Sequence, residues 1–431
     1  MKNIKFKEHT HNQNLLSMPP IRDVVRYVST KKSLILIALF WLLLPPTQAQ
    51  TQSLSNYVSI DTILNFKQET PSPYTSICSA SWSDWFGFTA FDTKNNSDTV
   101  KIHLINTSTL EQELLCFVEK GICKKMRKHL TSGFWAIGFT EKTMVLAMQY
   151  ELLIYKKTPN GQYSKTKSAK IPFSYHTMHM LNDSTIVFGQ CYHSADTETG
   201  LYLFDINKKK VTKTVHPHHN STLLNGYING YSCMDCTPNC IIWRHSNEYS
   251  FLGYDSNLNP IDSTAFPDTC WRPIPDKLMK RLLRIDKRAP TLIIERLLPI
   301  YDSIDALIGC YLLDDTHLII VRKKPSAFTR SPFMTIDVWT KCDGTWKRTL
   351  SDIADDGWKD TVMTKNNFPV KFEFNKVRVA GGKLVSLSKN GSIEQPIGLT
   401  RAAYDTQTDA YLIENNKFIQ VFIYSHTLTA K

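Results

Sequence analysis

Leu181-Asn182-Asp183-Ser184-Thr185-Ile186-Val187-Phe188 leads, after a polar gap, to Leu201-Tyr202-Leu203-Phe204-Asp205-Ile206-Asn207. Leu312-Leu313-Asp314-Asp315-Thr316-His317-Leu318-Ile319-Ile320-Val321 leads in the same way to Met334-Thr335-Ile336-Asp337-Val338-Trp339. Each phrase is a short polar turn, a β-branched and aromatic run, a gap, and a second such run. Val, Ile, Phe and Tyr suit the packed, pleated surface of a sheet, whereas Asn, Asp and Ser accept turn geometry. Recurrence of one strand phrase at intervals of tens of residues is the mark of a β-propeller.

The phrase recurs, less clearly spelt, along the chain. Residues 82–88 with the alternating run 99–105 make a first unit. Residues 134–139, 144–147 and 151–155 make a second, with Pro159-Asn160-Gly161 as a hairpin signal because Asn-Gly accepts positive φ at little cost. Residues 175–215 hold the third, and 240–243 with 249–255 the fourth. The Leu312 phrase and its outer turn Lys341-Cys342-Asp343-Gly344 form the fifth, and 377–387 with 411–424 the sixth. The expected fold is all-β, a single propeller over residues 73–431 with six blades, a count of seven also being compatible. A row of sheets leaves an open edge unless the ring closes, so the C-terminal strands are expected to pair with N-terminal ones. Residues 50–72 are polar with little periodicity and read as a linker. Residues 267–301 break the pattern. There Leu278, Met279, Leu282, Leu283 and Ile285 share one side at helical spacing and Asp276 can cap the start, so a basic helical insertion is expected between blades four and five.

The runs at 181–188 and 201–207 resemble those of the six-bladed, TolB-like propellers of exported bacterial proteins. The resemblance spans most of residues 74–431 as a pattern of strands and turns. No Trp-Asp dipeptide of the WD40 kind stands at the blade ends, and there is no regular Asp-box. Such families serve mostly in binding and assembly, with some enzymes among them, so the resemblance implies the architecture and leaves the activity open.

The N-terminus carries an address. Leu34 to Leu44 is an unbroken apolar run, preceded by Lys31 and Lys32 and followed by Pro45-Pro46-Thr47-Gln48-Ala49. A basic flank, a short apolar core and a small-residue exit make a signal peptide over 1–49, with Met18 as an alternative start. The run is shorter than the ~20 apolar residues of a membrane-spanning helix, and a retained anchor is the competing reading. The formal charge of +12 includes seven Lys or Arg and two Asp or Glu in the first 49 residues, which leaves +7 on the remainder. That mild excess favours an acidic partner. In an exported chain nucleic acid is not expected. After cleavage nothing else in the sequence is long and apolar enough to make it an integral membrane protein.

All ten cysteines follow residue 49. Export makes disulfides the leading expectation for the cluster Cys233, Cys236 and Cys240 and for Cys270, ahead of buried thiols and of metal or redox work. Cys-x-x-Cys is half of a zinc knuckle, but the second half is missing. His216-Pro217-His218-His219 reads as a solvated loop, and His176 and His179 as core or rim residues. Asp314-Asp315 and Asp355-Asp356 are acid pairs without evidence of a shared cleft, and the first already serves as a turn. There is no Gly-x-Ser-x-Gly elbow and no phosphate loop. No metal and no cofactor are expected. Three basic groups stand out: residues 124–129, 208–210 and 277–288. Trp271 and Arg272, able to stack on a sugar or peptide, lie just before the last. Trp271, Arg272, Lys277, Lys280, Arg281 and Arg284 are therefore the candidate binding residues. The expected function is a non-enzymatic binding or assembly module at the cell envelope, periplasmic or extracellular, engaging a protein or an anionic glycan. A carbohydrate-active hydrolase or lyase using the propeller funnel is the alternative.

Overall fold

The computed structural model divides into two units, Met1–Thr51 and Gln52–Lys431, and the described residues all belong to the second. They are 54–67, 75–92, 97–125, 135–148, 150–190, 199–216, 234–244, 249–265, 304–324, 333–354, 362–363, 369–370, 377–389 and 418–429, with eight positions between 271 and 281. The leader at 1–49 therefore lies outside them.

The chain opens with β1 (Val58–Lys67) and then lays down antiparallel four-stranded meanders. Blade one is β2 (Thr75–Trp82), β3 (Trp85–Asp92), β4 (Thr99–Asn106) and β5 (Gln112–Val118). Blade two is β6 (Trp135–Phe139), β7 (Thr143–Met148), β8 (Glu151–Lys157) and β9 (Tyr163–Lys170). Blade three is β10 (Thr177–Asn182), β11 (Thr185–Gln190), β12 (Gly200–Asp205) and β13 (Lys210–Val215). Blade four is β14 (Met234–Cys236), β15 (Ile241–Arg244), β16 (Ser250–Tyr254) and β17 (Pro260–Ala265). Blade five is β18 (Ala306–Leu312), β19 (His317–Lys324), β20 (Phe333–Cys342) and β21 (Thr345–Ala354). A two-stranded ribbon, β22 (Val362–Met363) and β23 (Pro369–Val370), precedes blade six, which is β24 (Arg378–Ala380), β25 (Lys383–Lys389), β26 (Phe418–His426) and, returning from the start of the chain, β1. The innermost strands β2, β6, β10, β14, β18 and β24 neighbour one another in that order, and β24 meets β2 again. The ring is a six-bladed propeller.

Closure follows from the register of β1 on β26, which runs from Val58 opposite His426 to Lys67 opposite Phe418. The expected pairing of chain ends is thus present. It also corrects the reading of residues 50–72 as a linker: 58–67 is the outer strand of blade six. Its alternation is blurred because both faces of β1 pack, Leu64 and Phe66 toward blade one and Val58 and Ile63 toward blade five.

The strand phrases are near-continuous apolar runs because each blade is covered on both sides. Met144, Leu146 and Met148 of β7 pack toward blade one, whereas Val145 and Ala147 pack toward blade three. Leu318 and Ile320 of β19 join blade four, and Ile319 and Val321 join blade six. Successive side chains point to opposite faces, so a Leu-Ile-Ile-Val run feeds two cores at once. Six such cores fill the six inter-blade gaps.

The polar part of each phrase is a carboxylate or amide turn. Asp205 Oδ1 accepts the N–H groups of Asn207 and Lys208, and Asp255 Oδ1 those of Asn257 and Asn259. Asn106 and Asp314 do the same in blades one and five. Asp343 (φ 52°) and Gly344 (φ 78°) turn the outer hairpin of blade five, as Asp-Gly at a two-residue hairpin should. These turns also latch blades together: Asn239 of blade four donates to Asp315 of blade five at 2.8 Å, and Thr143 of blade two to the Asp183 carbonyl of blade three at 3.0 Å. Asp314 and Asp315 are thereby a turn and a latch, while Asp355-Asp356 lies outside the described residues.

Candidate functional site

In each meander the turns joining the first to the second strand, and the third to the fourth, lie at one face of the ring. The connections between blades leave from the opposite face. The connection from β17 to β18 is the one that holds the sequence-predicted binding residues. Lys277, Leu278, Lys280 and Arg281 in it are helical, Leu278 half-buried and the three cations exposed. Arg284 lies outside the described residues.

The base of this connection is closed by Asp305. Its N–H donates to the Arg272 carbonyl at 2.8 Å, and its Oδ2 accepts the Arg272 N–H at 2.8 Å. Oδ1 accepts Arg322 Nε at 3.0 Å, and both side chains are almost wholly buried. The Arg322 guanidinium lies 5.3 Å from the Trp271 ring centre and 5.5 Å from that of Tyr249, and the two rings stack at 5.7 Å. Tyr249 donates its hydroxyl to the buried Asp337, which also accepts the Asp352 N–H at 2.7 Å and has Arg348 at 3.6 Å. Burial, then the Asp337 charge, holds the Tyr249 hydroxyl well above the ordinary phenol range. Lys324 pairs with Asp352. Three cations thus face three carboxylates in a compact column, as burial of charge requires.

Trp271 is accordingly a half-buried member of an anchor, and Arg272 projects from that anchor as an exposed residue. Of the six residues in the sequence's candidate group, Trp271, Arg272, Lys277, Lys280 and Arg281 are described, and they lie in this connection. The sequence reading missed Tyr249, Asp305, Arg322, Asp337 and Arg348. A signal existed for one of them: Asp337 stands between Ile336 and Val338, a charged residue inside a strand run, whereas Arg322 opens the basic run Arg322-Lys323-Lys324 at the end of its strand.

A second polar group stands on the innermost strands of the ring. Arg378 at the head of β24 acts on Cys78 of blade one, His179 of blade three, Asp235 and Cys236 of blade four and Tyr311 of blade five. Burial raises the Asp235 carboxyl to about 6, against the opposing pull of the Leu312 N–H, Arg378 and the Cys236 N–H. Burial, then Arg378, pushes His179 down to about 3, so its imidazole is neutral. His179 Nε2 lies 3.7 Å from Asp235 Oδ1, beyond hydrogen-bond reach. The hydroxyls of Tyr175 and Tyr311 are buried without a hydrogen-bond partner among the described residues.

The cysteine cluster is the inner hairpin of blade four. Cys236 and Cys240 are free thiols, which corrects the expected disulfide at these positions. The reason is geometric: Cys236 packs toward blade three and Cys240 toward blade five, on opposite faces of one sheet. Burial raises both thiols, Cys240 to about 11. Cys233 and Cys270 lie outside the described residues. Among the described residues no three His, Cys, Asp or Glu converge as metal ligands, and no helix is long and apolar enough to cross a membrane.

No family model matches the chain, and no curated protein matches it. Among solved structures it is similar to a member of the duf4221 family from Bacteroides vulgatus, with TM-score 0.44 and 10% identity over 86% of this chain and 98% of that one. It is similar to a luciferin-regenerating enzyme with TM-score 0.36 and 11% identity, over 84% and 95% of the two chains. It is also similar to Hsv2 from Kluyveromyces marxianus, with TM-score 0.32 and 6% identity over 64% and 84%.

Proposed function

We propose that the chain is an exported, non-enzymatic binding propeller of the cell envelope, akin to the TolB-like propellers its strand phrases resemble. Its connection between blades four and five presents a cationic edge to an anionic glycan or to an acidic protein surface. One observation carries this reading: Arg272, Lys277, Lys280 and Arg281 are exposed on a segment whose base is fixed by the buried Asp305–Arg322 pair and the Trp271–Tyr249 stack. Exposed cations on an anchored segment lose less freedom on binding than cations on a free loop, which favours association. The leader supports export, and the charge of +7 outside it supports an anionic partner. The alternative, a hydrolase or lyase in the funnel, calls for two carboxylates across one cleft. Asp235 is the sole Asp or Glu in the innermost strands β2, β6, β10, β14, β18 and β24.

The test is an array of sulfated and carboxylated glycans, alongside a pull-down from envelope extract, using the chain from Gln50. Binding that weakens with salt, and that falls at least tenfold in the combined variant Arg272→Glu, Lys277→Glu, Lys280→Glu, Arg281→Glu, supports the proposal. Capture on the array identifies a glycan, and capture of an acidic protein alone identifies the other partner. Binding indifferent to the four reversals would overturn it.

A further inference from the structure

The outer strands of the six blades are not alike. The exposed positions of β9 are led by Ser164, Thr166, Ser168 and Lys170, and those of β13 are Lys210, Thr212 and Thr214. Thr345, Lys347, Thr349 and Ser351 lie open along β21, as do Ser59, Asp61, Asn65 and Lys67 along β1. On β17 the apolar Ile261 is followed by Ser263. Ile261 apart, these rows are polar or charged, as edge strands that must not pair with another sheet usually are. Blade one differs. Its outer strand β5 exposes Gln112, Leu114, Cys116 and Val118 in one row, with Leu114 at 52% and Val118 at 74% of full exposure, and Leu110 at 39% in the preceding turn. Leu115 and Phe117, the alternate positions, turn inward to the core shared with blade two. Among the described residues β5 is the last strand of its sheet and pairs with β4 alone, so no described strand covers its outer backbone edge.

We propose that β5 is a self-association edge, where a second copy of this chain adds its own β5 antiparallel across a two-fold axis. The occupant follows from the row itself. A two-fold centred on Cys116 sets Cys116 opposite its counterpart and Leu114 opposite the second copy's Val118, so each apolar residue of the exposed row meets an apolar residue. The charges run the same way. Glu111 and Glu113 stand at the start of the strand, and Lys120 and Lys124 follow its end. Antiparallel pairing brings the acidic end of one copy alongside the basic end of the other, whereas parallel pairing would set acid on acid. Glu113 then faces the second copy's Glu119, whose charge Lys165 already meets at 2.5 Å. A C2 contact of this kind is self-complementary and closes at two copies. A seven-residue strand pair buries less than a standard interface, so the dimer is weak, with a dissociation constant on the order of 10 µM, at the weak end of the range that interfaces span. This inference is independent of the cationic edge between blades four and five.

Sedimentation velocity on the chain from Gln50, over a concentration series spanning that value, reads the equilibrium directly. The parent is expected to pass from monomer to dimer. The double variant Leu114→Lys, Val118→Lys is expected to stay monomeric at every concentration with an unchanged melting temperature, because both side chains are exposed. Oxidation with diamide is expected to trap a covalent dimer in the parent and none in Cys116→Ser. A parent that stays monomeric throughout overturns the proposal, whatever else binds this face. A dimer that survives both lysines overturns it too.

Discussion

Asp305 and Arg272 hold each other through three main-chain groups and one carboxylate oxygen: each N–H donates to the other residue at 2.8 Å. The second carboxylate oxygen is committed to Arg322. One buried acid thus ties the base of the blade four–five connection to a strand of blade five. Asp305→Ala removes the carboxylate that accepts Arg322 Nε and leaves Asp352, 3.9 Å from Nη1, as the more distant acid; removing one partner of a buried pair costs about 3–5 kcal/mol. Asp305→Asn keeps the shape and is expected to cost less. Urea unfolding of the two variants measures both losses. Equal, small losses would mean that Arg322 is held without Asp305.

The free thiols of blade four give a second expectation. Cys236 and Cys240 face different cores and are held protonated by burial, so they should resist alkylation at neutral pH until the fold opens. Iodoacetamide labelling followed by peptide mass mapping should find both unmodified in the native chain and both modified in urea. A two-hydrogen mass gain on reduction, assigned to either residue, would show a disulfide instead.

The fold was legible in the sequence because strands covered on both faces need continuous apolar runs, and the turns between them need Asn, Asp and Gly. The Thr185–Gln190 and His317–Lys324 runs announce themselves on both counts. The first strand of blade four did not. Its three residues Met234–Cys236 carry one apolar side chain, and the cysteines around them suggest a different chemistry. The closing strand β1 was hidden for a related reason: Asn65, Asp61 and Ser59 line its exposed side and read as a linker. Only Asp337, a charge set between apolar strand residues, hinted at the anchor beneath Trp271, because Tyr249, Asp305, Arg322 and Asp337 come together only once blades four and five are packed. The cations of the same connection were visible because charge runs are local.

Closure through β1 predicts a sharp consequence. A chain starting after Lys67 would expose the outer edge of β26, with Phe422 and Ile423 losing their partners Ile63 and Thr62. An open apolar edge invites intermolecular pairing. The truncated chain should form aggregates on size exclusion where the parent elutes as a discrete species. A truncated chain that elutes like the parent and keeps its melting temperature would show that the ring does not depend on this strand.

Buried groups of blades three and four, His176, His179 and Asp235, set a dependence on pH whose sign can be worked out. His179 falls to about 3 and His176 to about 4, both chiefly through burial, while the ordinary imidazole value is 6.5. Near pH 5 the unfolded chain therefore binds two protons at these positions that the native chain does not. Asp235 works the other way: raised to about 6, it is protonated in the native chain at pH 5 and ionised in the unfolded one. The net difference is about one proton, so these three groups make stability fall by ~1.4 kcal/mol per unit as pH drops from about 6 to 4.5. His179→Asn removes one histidine and should flatten this contribution. Asp235→Asn removes the opposing carboxyl and should steepen it to ~2.8 kcal/mol per unit. Chemical denaturation of the parent and both variants at half-unit steps from pH 4.5 to 7 isolates the differences, because other titrating groups are common to all three. Parallel curves for parent and variants would show that these sites stay wet enough to leave His179 and Asp235 near their ordinary values.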